Sequence, residues 1–464
     1  MQSCQRPPVR AAVASVLVAA LGDLAERDGA PKVDKMPDLR NWWRYGQESF
    51  VALRPTAWYM PERVTKVNWL DTFAEMVAVR EAIDADPILG TRVDTMVGVE
   101  FSLQQRRLDW LLIEHLLEPM IVTTRTYEFD EAAFDLHYNR LEAGLLADTV
   151  RLVEFIPLNG FVSSMDEIAL PGGVVLRPMT DRQMSRAIQV LAAPAEFSGG
   201  PNSVQVSRFH QWAVTREQSY PVTSYKQGMP EHPRPPAFPS LEEPVQRLVT
   251  ALHVVCGGSV VATRPILLQH DDDFPRDIEG SATLPAVGLA DVNRPTLLLT
   301  EEHVDAVRRV YEALAAPAVA RDRSLQVSLR RFVFAGSKSL PEDRLIDLNI
   351  CSEALFIKRG KIKGGQKGAP AAEAAGQLLA GDPVLGVERT EIERFFKEAY
   401  RLRNAEIHGD HPVQKRMTLL GGAKSEDLAR FIEDLARLLG RAIQLVLAEL
   451  TRPQPDRNML ITPR

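Results

Sequence analysis

The pattern of apolar and polar residues divides the chain near residue 150. Before that point apolar residues recur at helical spacing, and Phe101 to Leu117 and Asp130 to Leu146 are predicted to form helices. Pro119 is expected to end the first of them, because proline lacks the backbone N–H that a helix interior requires. The first 150 residues are therefore predicted to be mainly helical.

From Arg151 onward the apolar period changes towards that of strands. The segment RLVEFIPLNGF predicts a strand, and EIALPGGVVLRPM predicts a hairpin that turns at Gly172 and Gly173. Thr180 and Gln183 then have the spacing of a capping box, in which each residue satisfies a backbone N–H of the other. A helix is expected to start there.

Six prolines between Pro230 and Pro244 predict a loop or hinge without regular structure. After them, residues 245–255 are predicted to be helical and residues 257–268 extended. From Thr300, a predicted helix N-cap, the pattern is helical almost to the end of the chain. The further predicted helices are Ser324 to Phe334, Glu342 to Lys358, Ala371 to Leu379, Glu388 to His408 and Ser425 to Leu450.

These segments predict a multidomain α+β protein, for which a chain of 464 residues is long enough. The predicted parts are a mainly helical N-terminal region of unknown role (1–150), a mixed α/β middle domain (151–298), an all-α C-terminal bundle (299–452) and a tail (453–464).

The apolar run from Ala11 to Leu21 is shorter than the ~20 residues that span a bilayer. Its basic flank has the outline of a signal peptide. Helical spacing continues through it to Leu24, however, which favours an amphipathic helix. The three scattered cysteines form no C-x-x-C pair and favour a reducing compartment. We therefore expect a cytoplasmic protein with no membrane partner.

The net charge of -6 argues at first against a nucleic-acid partner. This value is a sum over unlike parts, because residues 321–464 hold 25 basic and 19 acidic side chains, whereas residues 1–320 hold 30 and 42. The C-terminal third is therefore +6 and the remainder is -12. Such asymmetry suggests that the basic third meets a polyanion and that the acidic part restrains it, although ordinary surface variation would give the same counts.

Five basic side chains are concentrated among glycines in the segment KRGKIKGGQKG. They are Lys358, Arg359, Lys361, Lys363 and Lys367. The segment is not a P-loop, because Gln366 stands where the phosphate-binding lysine is required. We interpret it as a flexible basic loop suited to holding a polyanion.

The main candidate for chemistry is the segment YRLRNAEIHGD. On a helix, Tyr400, Asn404 and His408 share one face, while Arg403 falls within the apolar stripe beside it. Gly409 is a natural helix C-cap, so His408 is expected in the last turn, where the unpaired carbonyls favour a protonated ring. A histidine beside an arginine and an amide suits acid–base chemistry on a phosphodiester. The residue spacing predicts neither a metal site nor a cofactor.

A second anomaly is Glu353, a carboxylate on an apolar helix face that also carries Ile346, Ile350 and Ile357. An unpaired buried charge is costly, so Glu353 and Arg403 are expected to pair and to leave guanidinium N–H groups for a phosphate. The alternative is a purely structural ion pair between two helices, with His408 as an ordinary capping residue.

Together these residues resemble the HEPN superfamily, whose signature is R-x(4 to 6)-H near the end of a helix. Four ordered blocks are similar to the Apea-like HEPN family: Leu329 to Phe332, Pro341 to Phe356, the basic segment from Lys358 to Gly368, and Tyr400 to Gly409. The upstream part from Arg151 resembles that family in outline. The first 150 residues carry no resemblance.

The resemblance implies an all-α HEPN-like C-terminal domain and a metal-independent endoribonuclease, often a toxin or an anti-phage defence effector. Catalysis would lie at the interface of a symmetric homodimer. Arg403 would stabilise the charge on the transferring phosphate, and His408 would be the general acid or base. Asn404 would position the phosphate or the His408 ring, with Glu353 and Tyr400 as supporting residues. Glu406 inside the motif adds a negative charge that would weaken RNA binding if it pointed inward.

Such a nuclease would use the ribose 2′-hydroxyl as nucleophile and would leave a 2′,3′-cyclic phosphate on its RNA substrate. An inhibitory partner or a phage trigger would control it. The first alternative is a non-catalytic HEPN module that serves in dimerisation or nucleic-acid binding. The second is an enzyme whose site lies in residues 1–150.

Overall fold

The computed structural model confirms a mixed α+β protein that contains several separate sheets. The structure describes residues 5–31, 69–93, 95–99, 102–180, 182–184, 186–187, 211–221, 223–225, 241–270, 279–281, 297–357, 368–408 and 417–453. Most of the proline-rich segment and the acidic residues 271–273 lie outside these ranges.

The N-terminal elements are mainly helical and include one β-hairpin. They are α1 (Pro7–Asp28), a 3-10 turn (Leu70–Thr72), α2 (Glu75–Ala85), α3 (Leu89–Arg92), β1 (Thr95–Val99), β2 (Ser102–Arg106), α4 (Leu108–Leu112), a π-helical turn (Ile113–Leu117), α5 (Glu118–Thr124) and α6 (Glu131–Leu146). Helix α6 confirms the predicted helix from Asp130, whose carboxylate accepts a hydrogen bond from the Ala133 N–H at 2.7 Å.

The prediction for residues 101–117 is wrong at both ends. Residues 102–106 form strand β2, which pairs antiparallel with β1. The helix that follows passes Pro119 and continues to Thr124. It does so through the π-helical turn at residues 113–117, whose wider backbone relieves the clash between a proline ring and the carbonyl four residues before it.

Helix α1 is long and apolar enough to cross a membrane, with a mean hydropathy of 1.6 over its best window. Its inward stripe is nevertheless buried against protein, since Val13, Leu17 and Leu24 are at most 2% exposed within the N-terminal core. Arg6 at its start pairs with Asp86, which lies between α2 and α3. One face of α1 is therefore packed against the N-terminal core.

The middle elements form an antiparallel sheet. The strands are β3 (Thr149–Asn159), β4 (Phe161–Ser163), β5 (Ile168–Leu170), β6 (Val174–Pro178), β7 (Trp212–Pro221), β8 (Thr223–Tyr225), β9 (Val261–Ala262), β10 (Ile266–Gln269), β11 (Glu279–Ser281) and β12 (Leu297–Leu299), with α7 (Glu242–Cys256) between β8 and β9. The main sheet has the order β11-β10-β3-β7-β6-β5, and β9 also pairs with β3. Strand β8 instead joins the β1–β2 hairpin, and β4 pairs parallel with β12.

Three local predictions for this region are confirmed. Strand β3 begins near Arg151, and β5 and β6 form the hairpin at Gly172 and Gly173, both of which have positive φ. The capping box is reciprocal, because the Thr180 N–H donates to Gln183 Oε1 at 2.9 Å and the Gln183 N–H donates to Thr180 Oγ1 at 3.3 Å.

The C-terminal part consists of helices and one very short hairpin. Its elements are α8 (Glu301–Leu314), α9 (Pro317–Arg321), α10 (Arg323–Ser337), α11 (Pro341–Phe356), α12 (Gly368–Leu379), α13 (Arg389–His408), β13 (Met417–Thr418), β14 (Lys424–Ser425) and α14 (Leu428–Leu450). The helices confirm the sequence predictions closely. The β13–β14 pair is an addition to the expected all-α bundle.

Two helix starts differ in detail from expectation. Pro244 lies inside the first turn of α7, where a missing N–H costs little, and not in the irregular loop. Thr300 occupies the N-cap of α8, but its hydroxyl contacts the Glu302 carboxylate and the His303 ring in place of a backbone N–H.

Helix α7 joins the sheet to the C-terminal helices through two close contacts. A Cβ at Gly336 of α10 would lie 2.3 Å from the His253 ring, and a Cβ at Gly440 of α14 would lie 2.6 Å from the Val254 carbonyl oxygen. One buried apolar cluster accordingly runs from β3 to the end of α14. The predicted domain boundary at residue 298 stays a prediction, and this cluster continues across it.

Glu142 provides a first test of the fold. Its buried carboxylate accepts hydrogen bonds from the Gln5 and Arg6 backbone N–H groups at the start of α1 and from the Tyr138 hydroxyl. Glu142→Ala should lower the free energy of unfolding by about 1–3 kcal/mol, because it leaves these donors unsatisfied. Urea unfolding would measure this, with exposed Glu81→Ala as the control; equal losses in both variants would contradict the capping role.

Asp382, in the α12–α13 connection, provides a second test. Burial alone would raise its pKa, but hydrogen bonds from Arg441 of α14 and from the Val384 and Leu385 N–H groups outweigh burial and lower it below 3.8. Because folding lowers the pKa of Asp382, its ionised form stabilises the protein at pH values above the ordinary pKa of an aspartate. This stabilisation is lost as the pH falls through the lowered pKa.

Asp382→Asn should therefore destabilise the protein at neutral pH by about 1–2 kcal/mol. The difference from wild type should shrink as the pH falls below 3.8. Urea unfolding across this pH range would measure it, with Asp305→Asn, whose side chain is 80% exposed, as the control. A difference that stays constant with pH would count against the ion pair.

Candidate active site

Helix α13 is fixed on three sides before it reaches the candidate residues. Phe395 stacks on Phe431 of α14 at 4.4 Å, and Phe396 makes an edge contact with Phe356 of α11 at 5.7 Å. On the third side lies the alanine-rich helix α12, which approaches so closely that a Cβ at Gly376 would lie 2.5 Å from Glu393 Cγ. The last turns of α13 are therefore presented from a rigid support.

Tyr400, Arg403 and Asn404 form one contact group on these turns. The Arg403 guanidinium carbon lies 5.8 Å from the centre of the Tyr400 ring, and Nη1 donates a hydrogen bond to Asn404 Oδ1 at 3.0 Å. All three residues are half-buried. The Arg403 Nε is buried and has no hydrogen-bond acceptor in the part of the chain that the structure describes.

The three other arginines of α13 each have a charge partner, and Arg403 differs from them in this respect. Arg389, Arg394 and Arg401 each pair with a glutamate on the same helix, at 2.8, 3.6 and 2.8 Å. Arg401 also lowers the pKa of Glu398 by hydrogen bonding. Among the described residues no carboxylate pairs with Arg403.

The contact between Arg403 and Asn404 also fixes the orientation of the amide. A guanidinium group has donors only, so Asn404 must turn its oxygen towards Arg403. The amide nitrogen of Asn404 then points away from Arg403 and keeps two N–H donors. Neighbouring arginine and amide donors of this kind suit an anion such as a phosphate.

His408 is exposed at the last position of α13, as the sequence predicts. Beside it, the Ile407 side chain is 49% exposed. Gly409, the expected C-cap, lies outside the described residues, as do Lys358, Arg359, Lys361, Lys363 and Lys367 of the basic segment. Glu406 is half-buried on the same turn. The arrangement thus places an exposed imidazole one turn beyond the Arg403–Asn404 pair.

The expected pairing of Glu353 with Arg403 is not among the described contacts of Arg403. Glu353 is half-buried on α11. The ion pair between neighbouring helices is formed by Arg331 of α10 and Asp347 of α11 at 2.8 Å, with the Asp347 side chain 8% exposed. The supporting role of Glu353 stays a prediction.

The sequence contained a signal for the Arg331–Asp347 pair. Residues 338–340 connect two antiparallel helices, and residues at equal distances from such a turn face each other. Arg331 and Asp347 each lie eight residues from Ser339. Reading the apolar stripe of each helix by itself directed attention to Glu353 and missed this pairing.

Other chemistry is less well supported in the described part of the chain. No cluster of three or more histidine, cysteine, aspartate or glutamate side chains there could hold a metal ion. Burial raises the pKa of Cys256 to about 12 and that of Cys351 further, so both thiols stay protonated and are poor nucleophiles.

No family model, curated protein or solved structure matches the chain. The group formed by Tyr400, Arg403 and Asn404 is therefore interpreted from its own geometry. That geometry combines a guanidinium without a carboxylate partner in the described part of the chain, an oriented amide and an exposed histidine at the end of a firmly packed helix.

The Arg331–Asp347 pair leads to a stability prediction. Asp347→Asn should destabilise the protein by about 1–3 kcal/mol, because it leaves a partly buried guanidinium without its counter-charge. Asp343→Asn, an exposed change on the same helix, should have little effect. Urea unfolding of both variants measures the difference, and equal values would show that the pair does not hold α10 against α11.

Proposed function

We propose that the protein is a metal-independent endoribonuclease of HEPN type, acting in the cytoplasm as a toxin or an anti-phage defence effector. The observation that carries the proposal is the Arg403 guanidinium, which lacks a carboxylate partner among the described residues, donates to the Asn404 amide oxygen and lies about one turn before an exposed histidine. Of the sequence blocks that resemble the Apea-like HEPN family, Leu329 to Phe332 lies on α10, Pro341 to Phe356 forms α11, and Tyr400 to His408 ends α13.

In this mechanism Arg403 and the amide nitrogen of Asn404 hold the scissile phosphate. The ribose 2′-oxygen attacks phosphorus, the bond to the 5′-oxygen breaks, and a 2′,3′-cyclic phosphate forms. One proton leaves the 2′-hydroxyl and one reaches the departing 5′-oxygen, and His408 carries out one of these transfers as general base or acid. The guanidinium stabilises the charge that develops on the phosphate oxygens.

A homodimer would bring a second His408 to the site and allow one imidazole for each proton transfer. The exposed Ile407 beside His408 is suited to such a contact. The basic segment from Lys358 to Lys367 would bind neighbouring RNA phosphates. The acidic remainder of the chain would restrain activity until an inhibitory partner leaves or a phage trigger arrives.

The second candidate function is a non-catalytic HEPN module for dimerisation or nucleic-acid binding. The observation in its favour is the buried Nε of Arg403, since a catalytic guanidinium commonly offers two donors side by side. An arginine held in this way can bind a phosphate without assisting its transfer.

RNA cleavage in EDTA tests the proposal. Purified wild-type protein should cut RNA into fragments with 2′,3′-cyclic phosphate ends and should leave DNA intact. His408→Ala should lower the rate by about 10²–10⁴-fold, as expected for the loss of a general acid or base, and Arg403→Ala should lower it strongly as well. Arg401→Ala, which removes an arginine paired with Glu398, is the matched control and should retain activity.

Circular dichroism and gel filtration should show that all variants are folded. RNA cleavage that persists in both His408→Ala and Arg403→Ala would contradict the proposal. If the folded wild-type protein binds RNA but does not cut it, the non-catalytic module would be favoured.

A further inference from the structure

The Tyr400 ring is close both to Arg403 and to the start of helix α12. A Cβ added to Gly368, the first residue of α12, would lie 2.5 Å from Tyr400 Cδ1 and 2.7 Å from Cγ. Real Cβ contacts are essentially never this short, so any side chain at position 368 would displace the ring. The same ring lies under the Arg403 guanidinium, whose central carbon is 5.8 Å from the ring centre.

This contact restricts the guanidinium in two ways. The ring attracts the cation electrostatically and limits its lateral movement. The hydrogen bond from Nη1 to Asn404 fixes rotation about the end of the side chain. With Nε buried and one Nη1 hydrogen bonded to Asn404, the second Nη1 N–H and the two Nη2 N–H groups remain to donate to a ligand.

We propose that Tyr400 is a positioning residue that holds Arg403 in this orientation, and that Gly368 is required because only a residue without a side chain lets the ring lie there. The inference rests on the proposed function, because it assigns these residues to the orientation of the phosphate-binding guanidinium. The phenol oxygen plays no part in it, and the aromatic face is the part that acts.

Four substitutions separate this role from general packing. Tyr400→Phe keeps the ring, Tyr400→Ala removes it, and Gly368→Ala displaces it. Gly376→Ala is the matched control, because it adds the same methyl group to the same helix, also against α13, but meets the flexible Glu393 side chain. The double variant Gly368→Ala/Tyr400→Ala has no ring to displace.

The first measurement is RNA cleavage with separate kcat and KM values. Tyr400→Ala and Gly368→Ala should each lower kcat about tenfold, whereas Tyr400→Phe and Gly376→Ala should stay near wild type. The double variant should equal Tyr400→Ala, because the two changes act through one contact. Additive losses in the double variant would overturn the proposal.

The second measurement does not depend on RNA. The Arg403 Nε–H resonance, assigned by its loss in Arg403→Lys, should carry a ring-current shift in arginine-labelled protein. It should move in Tyr400→Ala and Gly368→Ala and stay in place in Tyr400→Phe and Gly376→Ala.

If the resonance is unmoved when the ring is removed, the positioning role is wrong whatever the cleavage rates. If it moves as expected while wild-type protein cuts no RNA, the positioning role is supported and the proposed nuclease function fails. The two ideas therefore fail separately.

Discussion

The C-terminal fold depends on how closely its helices approach the final helix, α14. Helices α7, α8, α11 and α12 all pack on it, and at Gly440 the backbone of α7 is so near that a single methyl group would meet the Val254 carbonyl oxygen. Close packing of this kind transmits small displacements, because protein interiors leave no room to absorb them. The candidate site inherits its rigidity from this arrangement through the Phe395–Phe431 stack.

The same packing changes the meaning of the charge asymmetry. The acidic part of the chain and the basic C-terminal third share one buried cluster, with α7 on the acidic side of the division. An electrostatic restraint by the acidic part therefore cannot be tested by removing residues 1–300, because that cut would also expose the apolar faces that α7 and the sheet cover. Substitution of surface carboxylates addresses the restraint without opening the core.

Much of the fold could be predicted from the sequence because its helices carry clear apolar stripes and its turns carry specific residues. Most of the C-terminal helices, the Gly172–Gly173 hairpin and the Thr180–Gln183 capping box depend on interactions within a few residues of each other. The β1–β2 hairpin was missed. It belongs to a three-stranded sheet whose remaining strand, β8, comes from more than a hundred residues further along the chain. The helix through Pro119 was missed because the π-helical turn that permits it has no simple sequence pattern.

For the candidate site, the sequence predicted which residues lie at the end of α13 but did not predict the Arg331–Asp347 ion pair. Helical spacing correctly brought Tyr400 and Asn404 to one face, since that geometry is local. The pairing of Arg331 with Asp347 depends on how two helices fold against each other, which the stripe of either helix alone does not contain. The contact between Tyr400 and Gly368 is equally non-local, and a glycine after a basic, glycine-rich segment does not stand out in the sequence.

The buried Nε of Arg403 has a consequence for ligand geometry. An arginine that offers Nε and Nη2 together grips an oxyanion side-on and fixes its rotation, whereas Arg403 can approach an anion only end-on. An oxyanion at this position would be held by the terminal N–H groups of Arg403 and by the amide of the adjacent Asn404. Because both residues belong to one helix, the backbone of α13 sets how far apart these donors lie.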